Sequence, residues 1–249
     1  MKGKIWILST LFFLMGLISL GAKNESAGSQ TRCFVGWNYS YNRVSVTTDH
    51  STNKLAYHCL DMTLEIDFNR YLTVELIAGI AKQHLEDPVD FVNLPISMQV
   101  NKRKFDSSFW GIRLKSEFLR KYKFSLLACG EFQYFNVSTA EIPISLPIVK
   151  GTAMFENPFY QASVDLAAQF NILPGLTVFA GPQLNLIKGK FKLSESLQTL
   201  MGKETLSYKQ AHPIGLTTGL NWKGGHFKFD LKLDGLSKIM LTTGVSYIF

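Results

Sequence analysis

The chain has 249 residues, 46% hydrophobic and 18% charged, with a formal charge of +7 and a mean hydropathy of +0.07. That length suits one domain. The composition is too polar for a bundle of membrane helices but fits a barrel in which only alternate residues meet lipid. The modest positive charge suits anionic headgroups and argues against a nucleic-acid partner, and three cysteines are too few for a disulfide framework.

Met1-Lys2-Gly3-Lys4 precedes an apolar run from Ile5 to Leu20 and then small residues. This is the order of a cleaved secretory signal peptide over residues 1–22. The run is short for a transmembrane anchor, and no other segment reaches the roughly eighteen apolar residues a helix needs. Cleavage removes Lys2 and Lys4 and takes the charge from +7 to +5. Ser29-Gln30-Thr31-Arg32, ahead of Cys33, lacks the apolar and small residues of a lipidation site.

From residue 32 onward strand follows strand, with no linker or second domain. Cys33, Val35, Trp37, Tyr39 and Tyr41 alternate with Phe34, Gly36, Asn38, Ser40 and Asn42. Leu60, Met62, Leu64, Ile66 and Phe68 oppose Asp61, Thr63, Glu65 and Asp67. A tight turn is expected at Asn69-Arg70, after which Leu72, Val74, Leu76, Ala78 and Ile80 continue the apolar face. Period-two alternation is the strand signal. Further hairpins are expected to turn at Arg120-Lys121, Pro174-Gly175 and Gly224-Gly225, a spacing that hints at internal duplication. Aromatics flank these turns (Phe68 and Tyr71, Phe118 and Tyr122, Phe170, Trp222 and Phe227), which matches a girdle at a membrane interface. A soluble sandwich would also alternate; the export signal tips the reading to lipid outside and a polar lumen inside.

Two segments decide the strand count. Val92, Leu94, Ile96, Met98 and Val100 alternate with polar residues and Pro95; Ile142, Ile144, Leu146 and Ile148 alternate with Glu141, Pro143, Ser145 and Pro147. Proline argues against a central strand, yet so regular an apolar row would make an unusual exposed loop. The preferred count is about twelve strands, with ten as the alternative, both even as bacterial barrels require. The segment from Phe191 to Ala211 reads as the longest loop, a solvated lid by default, whose middle is compatible with a short amphipathic helix.

The end of the chain, Ile239 to Phe249, places Ile239, Leu241, Thr243, Val245, Tyr247 and Phe249 on one side. It resembles the terminal strand of outer-membrane barrels, whose final aromatic is read by the barrel assembly machinery; Tyr247 and Phe249 would carry that signal. Leu72-Thr73-Val74-Glu75-Leu76, Asp90-Phe91-Val92-Asn93-Leu94-Pro95-Ile96-Ser97, Phe179-Ala180-Gly181-Pro182-Gln183-Leu184 and the glycine-alternating Gly215 to Leu220 resemble strands of the PorT-type, or "porin family", outer-membrane barrel domain. That resemblance implies a barrel and suggests an accessory role in a secretion or assembly complex. Members usually have eight strands, so the extra hairpins are a departure.

Inside such a barrel the acidic candidates are Asp61, Glu65, Asp67, Glu75, Glu117, Glu131, Asp165 and Asp230, and the basic ones Arg113, Lys115, Lys123, Lys228 and Lys232. Mixed signs favour a network of paired charges filling a narrow interior over a selective pore. Cys59 and Cys129 project to the same polar face, where they could pair across the lumen, but two free thiols are the preferred reading. His84 with Asp87, and His212, loosely resemble the His/Asp pairs of omptin-type proteases, but nothing places a nucleophile beside a base. His50, His58 and His226 are too scattered for a metal site, and no glycine loop cradles phosphate. The expectation is therefore a non-enzymatic outer-membrane barrel without cofactor or metal, acting as a narrow passive channel or an envelope structural protein. Its partners would be outer-membrane lipid, lipopolysaccharide, the assembly machinery and an envelope protein.

Overall fold

The computed structural model describes residues 32–49, 51–69, 72–94, 98–100, 104–137, 139–145, 150–197 and 201–249. The expected signal peptide at residues 1–22 lies outside the described residues, as do Arg70 and Tyr71. The strands are β1 (Arg32–Thr47), β2 (Thr52–Asn69), β3 (Leu72–Leu85), β4 (Val89–Phe91), β5 (Met98–Val100), β6 (Lys104–Lys121), β7 (Phe124–Val137) and β8 (Ala140–Ser145). They continue with β9 (Lys150–Glu156), β10 (Phe159–Leu173), β11 (Leu176–Leu197), β12 (Met201–Gln210), β13 (Ile214–Gly224), β14 (Phe227–Gly235) and β15 (Ile239–Ile248).

Ten of them, β1, β2, β3, β6, β7, β10, β11, β13, β14 and β15, close into an antiparallel barrel. Its last seam joins β15 to β1 from Phe34↔Ile248 to Arg43↔Ile239. Closure satisfies every strand edge, which lipid could not do. One end carries tight turns: Asn69 pairs with Leu72, Lys121 with Phe124, Leu173 with Leu176 and Gly224 with Phe227. Gly175 (φ 80) and Gly225 (φ 58) supply left-handed backbone in two of these turns, and Tyr122 (φ 54) does so in a third. The β6–β7 turn falls at Tyr122-Lys123, two residues beyond Arg120-Lys121, with a bulge between Glu117 and Leu119 in its approach. The β13–β14 hairpin turns at Gly225-His226, one residue beyond the expected pair. Short turns mark the periplasmic end and longer connections the extracellular end.

The count is ten, the alternative, rather than twelve. Neither ambiguous segment joins the ten-stranded wall. Val89–Phe91 and Met98–Val100 form a separate two-stranded hairpin, while β8 pairs only with β9, which pairs with the outer half of β11. Leu94, Val100, Ile142 and Ile144 are covered by protein rather than lipid, as is the neighbouring Phe91, whereas Val92 is exposed. In the segment after Phe191 the described residues are strand rather than helix. β11 runs on to Leu197 and returns as β12, with Phe191 and Leu193 wholly buried at strand spacing.

The strands are longer than a bilayer needs. About 9–11 residues suffice, whereas β1 has 16, β2 and β6 have 18 each, and β11 has 22. Along this excess the apolar alternation changes phase. In β11, Val178, Ala180, Leu184 and Leu186 share the outer side with the cations of Lys188, Lys190 and Lys192, while the inner side passes from Gln183 and Asn185 to Ile187, Phe191 and Leu193. In β2 the exposed Leu60 gives way to His58 and Lys54, and buried Asp61 to Cys59, Tyr57 and Leu55. In β1, Asn42 is followed inward by Val44 and Val46.

The ring also contracts there. β12 pairs with the outer half of β11 and reaches β1 through Val46↔Gln210 and Thr47↔Lys209. Above the bilayer it thus stands in for β13, β14 and β15, leaving eight strands in the ring: β1, β2, β3, β6, β7, β10, β11 and β12. An eight-stranded barrel is just wide enough for side chains to fill, and here they do.

Candidate functional site

The outer interior is an aromatic core. Phe135 stacks on Phe159 at 4.3 Å and on Phe109 at 4.8 Å, with Tyr57 edge-on to Phe135 at 5.5 Å. Phe191 stacks on Tyr208 at 4.3 Å, and Phe155 meets Phe105 at 4.8 Å. A polar thread crosses this core with its groups paired: Tyr208 donates to Asn157 Oδ1 (2.7 Å), Asn157 Nδ2 to Gln83 Oε1 (3.1 Å) and Gln83 Nε2 to Ser107 Oγ (3.0 Å). Burial pushes the Tyr208 hydroxyl well above the usual phenol range, so it stays protonated and a donor.

Toward the turns the interior becomes ionic within two inward positions. Only Cys59 separates Tyr57 from Asp61, only Gly111 separates Phe109 from Arg113, and only Gln133 separates Phe135 from Glu131. Arg113 bridges Glu75 and Glu131, the latter at 2.7 Å from Nε. Lys115 pairs with Glu75 and lies 3.4 Å from Glu65, which also takes Lys228 at 2.7 Å. Lys232 reaches Asp165 at 2.8 Å, and Asp230 lies 3.6 Å from Lys228. Asp61 accepts from Asn38 Nδ2 at 2.8 Å. Glu117 pairs with Arg120 at 2.6 Å near the turn, and Asp67 accepts from Thr73 at 2.6 Å.

Eleven of the thirteen charged candidates line one cavity of about 250 Å³; Asp67 lies apart, near the turns. Lys123 sits in the β6–β7 turn. Cys129 lines the same cavity, while Cys59 is buried in the core above it; both thiols, like that of Cys33, are free. Lys115 and Asp230 keep 24% and 30% of their side-chain surface exposed, whereas Phe135 and Phe159 are 0% and 1% exposed. The cavity thus opens toward the turns and is shut toward the outside.

Sequence reasoning missed a second polar set on the β11–β14 side. Gln183 Nε2 donates to Asp234 at 2.9 Å, Asn185 Nδ2 to Gln210 Oε1 at 3.0 Å, and Lys238 lies 3.6 Å from Asp234. Asp234 continues the inward spacing of Asp230 and Lys232 and was findable by that signal; Lys238 sits in the β14–β15 connection, where strand parity says little. Lys223 and Lys228 also place their ammonium groups over the Phe34 ring, at 4.7 and 5.7 Å. The histidines do not build a reactive pair. His84 stacks on His58 at 6.4 Å, and the His58 ring shares a hydrogen bond with Tyr39 at 2.7 Å. Among the described residues His84 makes no hydrogen bond to Asp87, and no cluster of metal-ligating side chains forms.

The exterior of the ten-stranded part is a continuous apolar band, with Leu60, Ile80, Leu114, Val164, Leu166, Leu216 and Leu241 all exposed. Phe68, Phe118, Tyr122, Phe170, Trp222 and Phe227 are exposed at the turn end, and Tyr39, Trp110 and Tyr160 near the other edge. Such a surface is at rest only in lipid. The chain is an outer-membrane β-barrel. No protein-family model matches it, and no curated protein matches it by sequence. Among solved structures it is similar to the translocator domain of the autotransporter NalP from Neisseria meningitidis, at 9% identity and TM-score 0.48 over 99% of this chain and 97% of that one. It is also similar to the outer membrane protease OmpT from Escherichia coli, at 8% identity and TM-score 0.48 over 92% of this chain and 100% of that one. The attachment invasion locus protein Ail of Yersinia pestis matches at 13% identity and TM-score 0.33, over 90% of this chain and 100% of that one. At such scores neither mechanism nor ligand is carried across, and the outer-membrane assignment stands on the barrel's own exterior.

Proposed function

We propose that this barrel is a non-enzymatic structural protein of the envelope whose lumen is sealed at its outer end, and not a passive channel. The aromatic core under the eight-stranded ring carries this reading: ions cannot cross a close-packed apolar layer without a large desolvation cost. The motifs that resemble PorT-type barrels would place it beside those accessory components, with an envelope protein as partner. Delivery by the barrel assembly machinery belongs to the same proposal, since Phe249 is 73% exposed at the turn end with its ring edge-on to Tyr247 at 5.1 Å. The test is single-channel recording of the refolded chain in a planar bilayer. Folded but silent protein is the expected result, with openings on Phe135→Ala/Phe159→Ala; steady openings of the unaltered chain would overturn the sealed reading.

A further inference from the structure

The cavity beneath the aromatic core differs in charge from the rest of the molecule. Seven carboxylates and four basic side chains line it, a lining charge of −3, in a chain whose formal charge is +7. Ion pairing does not consume all of this acidity. Asp61, 7% exposed, accepts only the Asn38 amide and has no cation within ion-pair distance among the described residues. Asp165, 5% exposed, gives Oδ2 to Lys232 and leaves Oδ1 with no hydrogen-bond partner.

The neutral groups share the imbalance. Asn42, 3% exposed on the wall opposite Asp165, donates to Ser40 Oγ while its Oδ1 is empty. Behind the lining, Gln183 and Asn185 each use a side-chain N–H and leave the carbonyl oxygen without a partner. Apart from the Thr217 hydroxyl on the lining, which can donate or accept, each of these orphans is an acceptor. Leaving a buried acceptor unmet is costly, and such groups call for an explanation. What they lack is a multi-donor group, and the net negative lining favours a positive one.

We propose that the lumen binds a small organic cation bearing primary ammonium or guanidinium groups, held between Asp61, Asp165 and Asn42 and admitted from the periplasmic end. An ammonium offers three donors and a guanidinium five; the Asp61 carboxylate supplies the unpaired charge, and Asp165 Oδ1 and Asn42 Oδ1, both covered, come into reach by a side-chain rotation. Neutral polyols meet the acceptors but not the charge, and anions meet neither. The proposal rests on the sealed-barrel reading only for the side of access.

The probe is 1,4-diaminobutane, titrated calorimetrically into the full chain in detergent micelles at neutral pH and low salt, with 1,4-butanediol and succinate as controls. Saturable binding of the diamine alone is expected, weakening as salt rises. Asp165→Asn and Asp61→Asn should each bind at least about tenfold more weakly, as loss of a charge-assisted hydrogen bond implies. Heat-modifiable migration on gels establishes that each variant is folded; should Asp165→Asn fail there, Asp61→Asn, which breaks no ion pair, carries the test. The proposal is overturned if the diamine does not bind, if butanediol binds equally well, or if both variants retain full affinity. A chain that conducts in bilayers yet binds the diamine would sink the sealed reading and leave the cation site standing.

Discussion

Truncating Phe135 to alanine separates a packed interior from an empty one. The ring is wholly buried, stacked between Phe109 and Phe159 with Tyr57 on its edge. Nothing small is at hand to fill the space, so the loss combines the transfer term with a cavity term, about 3–5 kcal/mol for a core phenylalanine. Phe132, three residues earlier on the same strand, lies on the lipid face at 37% exposure, near Trp110 and Tyr160. Acyl chains refill the gap left by Phe132→Ala, so only the transfer term of about 1.5–3 kcal/mol remains. Urea titrations of reversible folding into thin vesicles, read by tryptophan fluorescence, give both values if the slope is unchanged. Phe135→Ala should be the costlier by about 1–3 kcal/mol. Equal losses, or a greater loss at Phe132, would refute the view that the outer interior is close-packed.

Arg113→Met removes the only cation among the described residues within ion-pair distance of Glu131 and half the support of Glu75; it should cost about 3–5 kcal/mol, part of which returns in the Arg113→Met/Glu131→Gln double variant, as measured by a double-mutant cycle. Tyr208→Phe takes the hydrogen bond from Asn157 Oδ1 and should lower stability by about 1–3 kcal/mol. Hydrogen exchange should place that loss in β12, whose seam with β1 is two residue pairs long. Phe249→Ala should leave the refolded barrel close to wild-type stability, since that ring is largely exposed. In cells it should lower the fraction of heat-modifiable, inserted protein; full insertion would remove its proposed role as an assembly signal.

Much of the wall was legible because lipid imposes a strict rule on it. Leu60 to Phe68 and Ile239 to Tyr247 alternate without interruption, and each lies where that alternation puts it. The outer third was not legible, and the reason is physical. Residues such as Leu94 and Ile144 alternate because they cover an apolar interior, and alternation does not reveal whether its apolar side meets lipid or protein. That ambiguity favoured twelve strands. The useful sign was the parity change itself, Tyr39 and Tyr41 outward giving way to Arg43 outward and Val44 inward. The cavity's charges were visible as residue types at inward positions, but their partners were not: Lys115 meets Glu75 only through the β3–β6 pairing, 40 residues away in sequence, and Lys228 meets Glu65, 163 residues away, only because the barrel closes.

The phase change along the strands also acts as a depth gauge. Between Phe68 and Leu60 the lipid face of β2 rises roughly 20 Å, at about 3.3 Å per residue and a tilt of about 40°. Beyond it stand His58 and Lys54, as Lys188 and Lys190 stand beyond Leu186 on β11. A helix too long or too short for its bilayer can tilt to relieve hydrophobic mismatch. A barrel collared by charge cannot, because tilting would drive one side of the collar into hydrocarbon. The surrounding lipid must therefore thin to meet this protein, and membranes of short-chain lipid should be its preferred surroundings.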